Sequence, residues 1–303
     1  MTERPRSVSG RIGNVVLVAD DFAISGGVSA GIESLARQRR ISAASAIVTL
    51  PRWRHDAPRL AALRAEIAIG LHINFTLLQP LGAMPNLAPR GLLPAIGALT
   101  LKAVAGRIDV EEIAAETSRQ LAAFESATGF PPDVIDGHQH VHALPKIRDG
   151  VMMALTARYR SDTPRPLLRV PADRARALAA RRQSFGKAAV LSLLAAGASG
   201  LFRGAGFPVN DSFAGVTSFA ADAATVARDI DAARVAPRGL HIAMCHPGLP
   251  TAELAEIDAI TDRRAVELAV LGADNALTAQ LWHPARPADG AVIDWKRERE
   301  ALP

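Results

Sequence analysis

Cysteine is almost absent from this sequence of 303 residues, in which Cys245 is the single thiol. One cysteine excludes an intramolecular disulfide and fits a reducing compartment. The segment 1–14 is polar and contains arginines, without the apolar core of a secretory signal. We therefore expect a cytoplasmic protein.

Long apolar runs are also missing. The longest uncharged, mainly apolar run is 188–202, and its 15 residues fall short of the roughly 20 needed to cross a bilayer. We therefore expect no stable membrane insertion. Because Lys187 and Arg203 flank this run, it predicts a lid-like surface helix, with a membrane-adjacent patch as the alternative.

No large excess of one charge is present. The chain has 35 basic and 30 acidic residues, a formal net charge of +5 and an isoelectric point near 10.1. The basic residues are mostly arginines spread along the chain, which favours a solvated surface over a phosphate-binding face. We expect no nucleic-acid partner. Hydrophobic residues make up 49% of the chain, enough for a large core.

Two catalytic signatures are lacking as well. The chain has no Gly-x-Ser-x-Gly elbow, and Ser25-Gly26-Gly27 does not have the spacing of a phosphate-binding loop. Aromatic residues make up 4%, so few rings could stack on a sugar. The candidate platforms, each of which also fits core packing, are Phe22, Trp53, Phe75, Phe213 and Trp282.

What the chain does have is an alternation of strand-like and helical patterns. Such alternation predicts βα units and a mainly parallel sheet, which closes into a TIM-barrel-like (β/α) barrel of eight or fewer regular units. The strands are expected at 15–19, 43–50, 67–73, 134–137, 167–170, 216–219 and 241–244. The helices are expected at 27–40, 57–66 and 113–124, the last with Asp109 and Glu112 as capping residues.

The organisation predicts one barrel domain over 15–290. The segment 1–14 is interpreted as a flexible N-terminal segment and 291–303 as a C-terminal tail. The stretch 79–100, with four prolines and three glycines, is expected to form a long loop over one end of the barrel. The stretch 172–210 is expected to be a second insertion, helical in part.

Ionisable residues follow the predicted strands. The carboxyl ends of parallel barrel strands meet at one rim, where active sites are built. The residues at these ends are Asp20, Asp21, His72, Asp136, His138, His140, His142 and His246. In an extended chain the three alternating histidines would project to the same side.

This set of residues predicts a metal-dependent hydrolase. One aspartate and two histidines with open positions form a ligand set for catalytic divalent metals. A second carboxylate can accept a proton from water, and a separate histidine can protonate a leaving amine. Asp20, Asp21, His72, His138 and His246 can fill these roles, although spacing alone does not choose among His138, His140 and His142.

In its motifs the sequence resembles the YdjC-like carbohydrate deacetylases, the family of chitooligosaccharide deacetylase and hopanoid-associated deacetylase-like proteins. The resemblance implies a TIM-barrel-like fold and metal-dependent removal of acetyl groups from N-acetylated amino sugars or small oligosaccharides. The matching segments are Ala19-Asp20-Asp21-Phe22, Gly27–Gly31, Ile69-Gly70-Leu71-His72, Asp136-Gly137-His138-Gln139-His140-Val141-His142 and Met244-Cys245-His246-Pro247-Gly248. Weaker similarity continues through Leu168-Arg169, Asn210-Asp211-Ser212-Phe213 and Arg263-Arg264 to Glu267.

The resemblance also assigns roles to residues. It implies that Asp21, His72 and His138 are the metal ligands, that Asp20 is the catalytic base, and that His246 is the proton donor. Contacts with the substrate or with the ligands are assigned to Asp136, His140, His142, Phe22 and Arg169. The implied metal is a single magnesium ion, although this ligand set accepts zinc, manganese or cobalt on geometric grounds. The implied partners are a small carbohydrate substrate and a second copy, in a homodimer.

Two departures from the family pattern affect the loops beside this site. Ala23 stands where the family has glycine, which costs about 1 kcal/mol if the position needs a positive φ. Thr76 is followed by Leu77-Leu78-Gln79 instead of a glycine turn, so the sugar specificity stays open. Two alternatives also stay open: hydrolysis of another amide or ester, and sugar binding without catalysis.

Overall fold

The computed structural model describes residues 13–159, 163–273, 275–286 and 292–302. Seven parallel strands form one sheet in the order β5-β4-β3-β2-β1-β7-β6. Their bounds are β1 Val15–Phe22, β2 Ala43–Ala46, β3 Ala68–Ile73, β4 Val134–Gly137, β5 Leu167–Leu168, β6 Ser212–Ala214 and β7 His241–Cys245.

Helices surround the curled sheet, which gives the TIM-barrel-like α/β fold that the sequence predicts. The α-helices of the described residues are α1 Gly26–Arg37, α2 Trp53–Ala61, α3 Ile96–Val104, α4 Val110–Thr128, α5 Ile147–Arg158, α6 Ala175–Arg181, α7 Phe185–Leu194, α8 Ala198–Gly204, α9 Ala223–Ala232, α10 Ala252–Ala255, α11 Thr261–Gly272 and α12 Trp295–Ala301.

The two edge strands of the sheet, β5 and β6, approach each other without a full ladder. A single bridge joins Leu168 to Val209, just before β6 begins. The side chain of Asn210 extends this link: its Oδ1 accepts from the Val170 N–H at 2.7 Å, and its Nδ2 donates to the carbonyls of Val170 and Ser212. One amide side chain therefore adds to the short backbone pairing at the seam of the barrel.

The two faces of each strand serve different purposes, because side chains alternate along a strand with a period of two. Val15, Leu17 and Ala19 pack toward the surrounding helices, while Val16 and Val18 belong to a second apolar cluster inside the sheet. The inner cluster also receives Ala43, Ala68, Val134, Leu167, Ile242 and Met244. One period further along the strands, the inner face becomes polar, and this is where the site lies.

The amino-terminal end of the barrel is closed by two tryptophans. The ring centroids of Trp282 and Trp295 lie 4.8 Å apart, and Trp295 Nε1 donates to the Asp133 carbonyl at 2.7 Å. Trp295 belongs to α12, within the segment 291–303 that the sequence analysis interprets as a tail. Of the predicted flexible segment 1–14, only residues 13 and 14 lie within the described residues.

Several predicted elements differ from the observed ones. The expected strand at 216–219 is wrong: β6 ends at Ala214, because Gly215 takes φ +104°, which is outside the strand region. The strand predicted at 43–50 is shorter, and the helix predicted at 57–66 begins and ends earlier. The loop predicted at 79–100 ends where α3 begins, at Ile96.

The predicted helix at 113–124 and the partly helical insertion 172–210 are confirmed, whereas the predicted capping role of Glu112 is wrong. Asp109 caps α4 by accepting the N–H groups of Glu111 and Glu112, whereas the Glu112 carboxylate binds the backbone of Asn86 and Leu87 instead. The insertion contains α6, α7 and α8. In the described residues no single helix meets the length and hydropathy of a membrane span, and only α7 and α8 together, bent by 43°, do so.

Candidate active site

A bulge at the end of β1 places two neighbouring carboxylates in one site. Along a regular strand Asp20 and Asp21 would point to opposite faces. The pairing of β1 with β2 shifts between Ala19 and Phe22, and Asp21 takes φ +68°. The extra residue of a bulge redirects a side chain in this way, and such strain concentrates at functional sites. Both carboxylates are buried at the carboxyl end of the barrel.

His72 is held by the strand next to its own. His72 on β3 stands directly opposite Asp136 on β4, and Nδ1 of its ring lies 2.6 Å from the Asp136 carboxylate. The Ser45 hydroxyl lies 3.1 Å from the same nitrogen and 3.1 Å from the other Asp136 oxygen. These contacts leave Nε2 of His72 directed at Asp21, at 3.2 Å.

Three donor atoms converge on this point. Asp21 Oδ1 lies 3.2 Å from His72 Nε2 and 2.8 Å from His138 Nδ1. Together the three residues form a group that could hold a metal ion. A carboxylate and two imidazoles suit a divalent cation, and the Asp136–His72 contact is the carboxylate–histidine pairing that supports metal ligands.

The charges around His72 favour a cation at this point. Burial lowers the pKa of His72, but the carboxylates of Asp136 and Asp20 outweigh burial and raise it to about 10. Burial likewise raises the pKa of Asp21, yet His138 and Arg264 hold it well below its usual range. The surroundings therefore stabilise positive charge next to an ionised Asp21, and the residues present fit a bound metal ion.

A second group of donors fits a metal less well. Asp20, His72 and Asp136 also lie close enough to hold an ion. However, both Asp20 oxygens accept from the Arg169 guanidinium at 2.7 Å, and Arg169 also lies 3.1 Å from Asp136. Arg169 therefore occupies both oxygens of Asp20, whereas Arg264 is bonded to Oδ2 of Asp21 and leaves Oδ1 to the two histidines. Arg169, predicted only as a contact residue, thus fixes the orientation of Asp20.

Arg264 on α11 is a site residue that the sequence analysis did not assign. Its NH2 lies 2.5 Å from Asp21 Oδ2 and 2.6 Å from Asp258, and its side chain is buried. The Arg263-Arg264 pair was visible in the sequence as a region of weak family similarity. The helical spacing gave no reason to bring it to Asp21, because the tertiary packing of α11 against α1 and α9 does so.

The three alternating histidines do not lie on one side of an extended chain, so that expectation is wrong. Residues His138–Ala143 form a 3-10 turn, in which Gln139 and His140 take φ +52° and +62°. Gly137 permits this turn, because a Cβ there would lie 2.8 Å from His142 Nδ1. Only His138 of the three reaches Asp21.

His140 and His142 have separate surroundings. The His140 ring meets Phe213 edge to face with centroids 5.7 Å apart. His142 Nε2 donates to the Arg169 carbonyl at 2.6 Å, which couples the turn to the strand end that carries Arg169. Burial lowers the pKa of His142 to about 4 and holds that of His140 well below its usual range, so both rings are neutral near pH 7.

His246 faces Asp20 from the loop after β7. Its Nε2 lies 3.9 Å from Asp20 Oδ2. Glu267 fixes its backbone N–H at 2.6 Å and is itself bound by Arg263. Burial lowers the pKa of His246, partly offset by Asp20 and Asp21. The ring of Phe219, which is partly exposed, stands edge-on with centroids 6.1 Å from His246.

The other predicted contact residues are mostly internal. Phe22 is fully buried in the hydrophobic core, and each of the other candidate stacking rings is at most 3% exposed. Phe219, at the mouth beside His246, is the ring that the sequence analysis missed. Nothing but its place after β6 could have indicated it.

The structure accommodates the two departures from the family pattern, at Ala23 and in the loop after Thr76, in different ways. Ala23 takes φ +71°, which costs an alanine about 1 kcal/mol. Its methyl group is buried in the core, a gain of about 0.8 kcal/mol that offsets the strain. Leu77 and Thr76 donate their N–H groups to Asn74 Oδ1, so the Asn74 side chain holds this loop without a glycine turn.

The fold and the site define an α/β barrel protein whose carboxyl rim carries an Asp–His–His group that could hold a metal ion. A comparison with known protein families makes this assignment more specific. The model of the YdjC-like protein family matches residues 14–280. This match covers most of the chain, which therefore belongs to the YdjC-like family.

Curated relatives match the chain over less than half its length. A protein of Klebsiella pneumoniae (strain 342) named chitooligosaccharide deacetylase is 35% identical over 133 residues, which are 44% of this chain and 52% of that protein. A protein of the same name from Yersinia pestis (strain Pestoides F) is 35% identical over 134 residues, with the same coverage. The chain thus spans about half the length of these relatives.

A solved structure supports the fold alone. A proposed cellobiose-phosphate cleavage protein from Enterococcus faecalis V583 superposes with a TM-score of 0.63 and 19% sequence identity. The superposition covers 89% of this chain and 96% of the other.

Proposed function

We propose that this chain is a metal-dependent hydrolase that removes the acetyl group from an N-acetylated amino sugar or small oligosaccharide. The observation that carries the proposal is the convergence of Asp21, His72 and His138, with Asp20 next to Asp21 in the chain and His246 Nε2 3.9 Å from the Asp20 carboxylate. Membership of the YdjC-like family and relatives named chitooligosaccharide deacetylase support it.

The metal ligands in this proposal are Asp21 Oδ1, His72 Nε2 and His138 Nδ1. A bound divalent cation supplies a Lewis acid that polarises the acetamide carbonyl and lowers the pKa of water. The protein's own contribution is to hold the three donors in place: Asp136 fixes the His72 ring, and Arg264 fixes the second oxygen of Asp21.

Asp20 and His246 move the protons. Asp20 accepts a proton as water oxygen attacks the acetamide carbon, while Arg169 holds the carboxylate in position. His246, whose Nε2 lies across from Asp20, donates a proton to the sugar nitrogen as the carbon–nitrogen bond breaks. The products are acetate and the free amino sugar.

Phe219 and His140 are the residues beside this centre that we propose as sugar contacts. Phe219 is a partly exposed ring at the mouth, and rings of this kind stack on sugar faces. His140 is neutral, and its Nδ1 is buried without a hydrogen-bond partner in the protein as described, so this nitrogen is the one that a hydroxyl group of the substrate would satisfy.

Acetate release from a panel of N-acetylated sugars, including chitobiose and free N-acetylglucosamine, tests the reaction. The enzyme is stripped with a chelator, and magnesium, zinc, manganese or cobalt is then added back. We expect activity to return with metal, and magnesium is our choice for the physiological ion. The His72→Ala variant, which loses a ligand, is expected to stay inactive with every metal.

Other outcomes separate the alternatives. Metal binding without acetate release from any sugar would favour hydrolysis of another amide or ester. Sugar binding without turnover would favour a non-catalytic binder. Failure to bind any of the four metals would contradict the proposed centre itself.

Two further proposals are a cytoplasmic location, which the single cysteine and the polar segment 1–14 support, and a homodimer, which the family resemblance supports. Analytical ultracentrifugation of the purified chain measures the second directly, since a dimer doubles the mass of 31.9 kDa. A monomer at every concentration would contradict it.

A further inference from the structure

The insertion between β5 and β6 has an unusual composition. From residue 174 to residue 210 it contains six basic residues and neither aspartate nor glutamate. Arg181 is buried and bound to Asp173, but Arg174, Arg176 and Arg182 are exposed. The insertion therefore presents positive charge without the acidic residues that are interspersed elsewhere in the chain.

The same insertion exposes large apolar side chains. Helices α7 and α8 leave Phe185, Val190, Leu193 and Leu201 exposed by 49%, 59%, 74% and 37%. Ala188 packs on the barrel with Leu178 and Phe213, so α7 turns one apolar side inward and another outward. We call the outward side chains, together with the exposed Arg174, Arg176 and Arg182 of the same insertion, the apolar–basic face.

We propose that the apolar–basic face binds the surface of an anionic lipid bilayer. Interfacial helices insert apolar side chains between lipid headgroups while their basic residues attract anionic lipids. Helices α7 and α8 have 10 and 7 residues, too short singly to cross a bilayer, for which about 20 are needed. Together the two helices meet the length and hydropathy of a span, but the bend of 43° between them suits two short helices that lie along the surface.

Charge argues against a second copy as the occupant. In a two-fold dimer the same patch meets itself, so the basic residues of both copies would face each other. Like charges brought together across an interface oppose association. An anionic lipid surface removes this repulsion.

The apolar–basic face is connected to the site by two contacts. Lys187 on α7 donates to the Thr217 carbonyl at 3.2 Å, and its Nζ lies 3.7 Å from the centre of the Phe219 ring. Phe219 in turn stands against His246. A bilayer bound to α7 would therefore lie next to the mouth of the candidate active site.

Sedimentation with lipid vesicles tests the proposal on the full chain. We expect the protein to bind vesicles that mix phosphatidylglycerol with phosphatidylcholine, and to bind pure phosphatidylcholine at least about tenfold more weakly, since each basic residue near an anionic surface contributes about fivefold. High salt is expected to weaken the binding.

Paired variants locate the surface. Val190→Ser with Leu193→Ser is expected to weaken vesicle binding about tenfold, as is Arg176→Glu with Arg182→Glu. The matched control is Leu101→Ser with Val104→Ser on α3, where the side chains are exposed by 72% and 60%. That control is expected to bind like the unaltered protein.

The contrary outcomes are distinct. No binding to anionic vesicles, or equal loss in the α3 control, would overturn the proposal. Loss of dimerisation in the α7 variants would assign the face to a second copy. Because vesicle binding needs no turnover, the result is independent of the proposed deacetylase reaction, and acetate release from a soluble sugar is expected to be unchanged in these variants.

Discussion

At the scale of single residues, the candidate site is built from pairs in which one side chain acts and another holds it. Asp136 holds His72, Arg264 holds Asp21, and Arg169 holds Asp20. His72 and Asp21 each keep one donor atom, Nε2 and Oδ1, that the partner does not engage, whereas Arg169 holds both oxygens of Asp20.

Removing the base should separate catalysis from metal binding. Asp20→Asn keeps the shape of the side chain and removes its ability to accept a proton. We expect acetate release to fall at least about 100-fold, while calorimetric titration still shows metal binding, since Asp20 is not among the proposed ligands. Full activity in this variant would show that another group takes the proton.

Replacing a residue that supports a ligand should lower the metal affinity less than replacing the ligand itself. Asp136→Asn leaves all three ligands in place but weakens the hold on His72. Loss of such a partner costs about 10- to 100-fold in metal affinity, and His72→Ala should cost more. Calorimetric titration of both variants measures the difference, and equal affinities for Asp136→Asn and the unaltered protein would contradict this role.

At the scale of elements, α1 and the loop carrying His246 are in close contact. The Leu249 N–H donates to the Gly27 carbonyl at 3.1 Å. A Cβ at Gly27 would lie 2.3 Å from the Leu249 oxygen, and one at Gly31 would lie 3.0 Å from the Gly248 Cα. The glycines of the Gly27–Gly31 motif thus let the His246 loop lie against the helix.

Gly27→Ala should therefore displace this loop. We expect the free energy of unfolding to fall by about 1–3 kcal/mol through overpacking, and acetate release to fall with it as His246 moves. Gly97→Ala on α3 is the control, because nothing lies within 4 Å of its added Cβ. The close contact would be refuted if the two variants behaved alike in denaturant unfolding and activity.

At the scale of the whole molecule, the barrel depends on its seam. Asn210 makes three hydrogen bonds between the ends of β5 and β6. Asn210→Ala should leave buried backbone groups unpaired and lower the free energy of unfolding by about 1–3 kcal/mol. Asn86→Ala, at an exposed position, serves as the control, and urea unfolding measures the free energy of unfolding of both variants. An equally small decrease in both would contradict the stabilising role of Asn210 at the seam.

Acid should weaken the whole fold through His241, which joins β7 to β6 and α9. Its Nδ1 lies 2.7 Å from the Ser212 hydroxyl, and its Nε2 donates to the Ala233 carbonyl at 2.7 Å. Burial lowers the pKa of His241 to about 4 from its ordinary 6.5.

Between these two pKa values the unfolded chain binds a proton that the folded chain excludes. The stability contributed by a neutral His241 is complete above about pH 6.5 and is lost progressively toward pH 4, by up to about 3 kcal/mol. Urea unfolding at a series of pH values measures the slope. His241→Gln should reduce it, and an unchanged slope would show that other groups dominate.

The sequence by itself determined the class of fold and the inventory of the site. Alternating patterns predicted a parallel barrel, and polar residues at strand ends, such as His72 and His246, marked the rim, because strand side chains alternate and parallel strands end together. These are local properties, and a linear pattern contains them.

Only the tertiary structure decided which residues meet. The bulge that turns Asp21 beside Asp20, the turn that separates His138 from His140, and the arrival of Arg264 from α11 all depend on contacts between distant segments. A residue's neighbours across the barrel are set by packing and register, and no spacing along the chain specifies them.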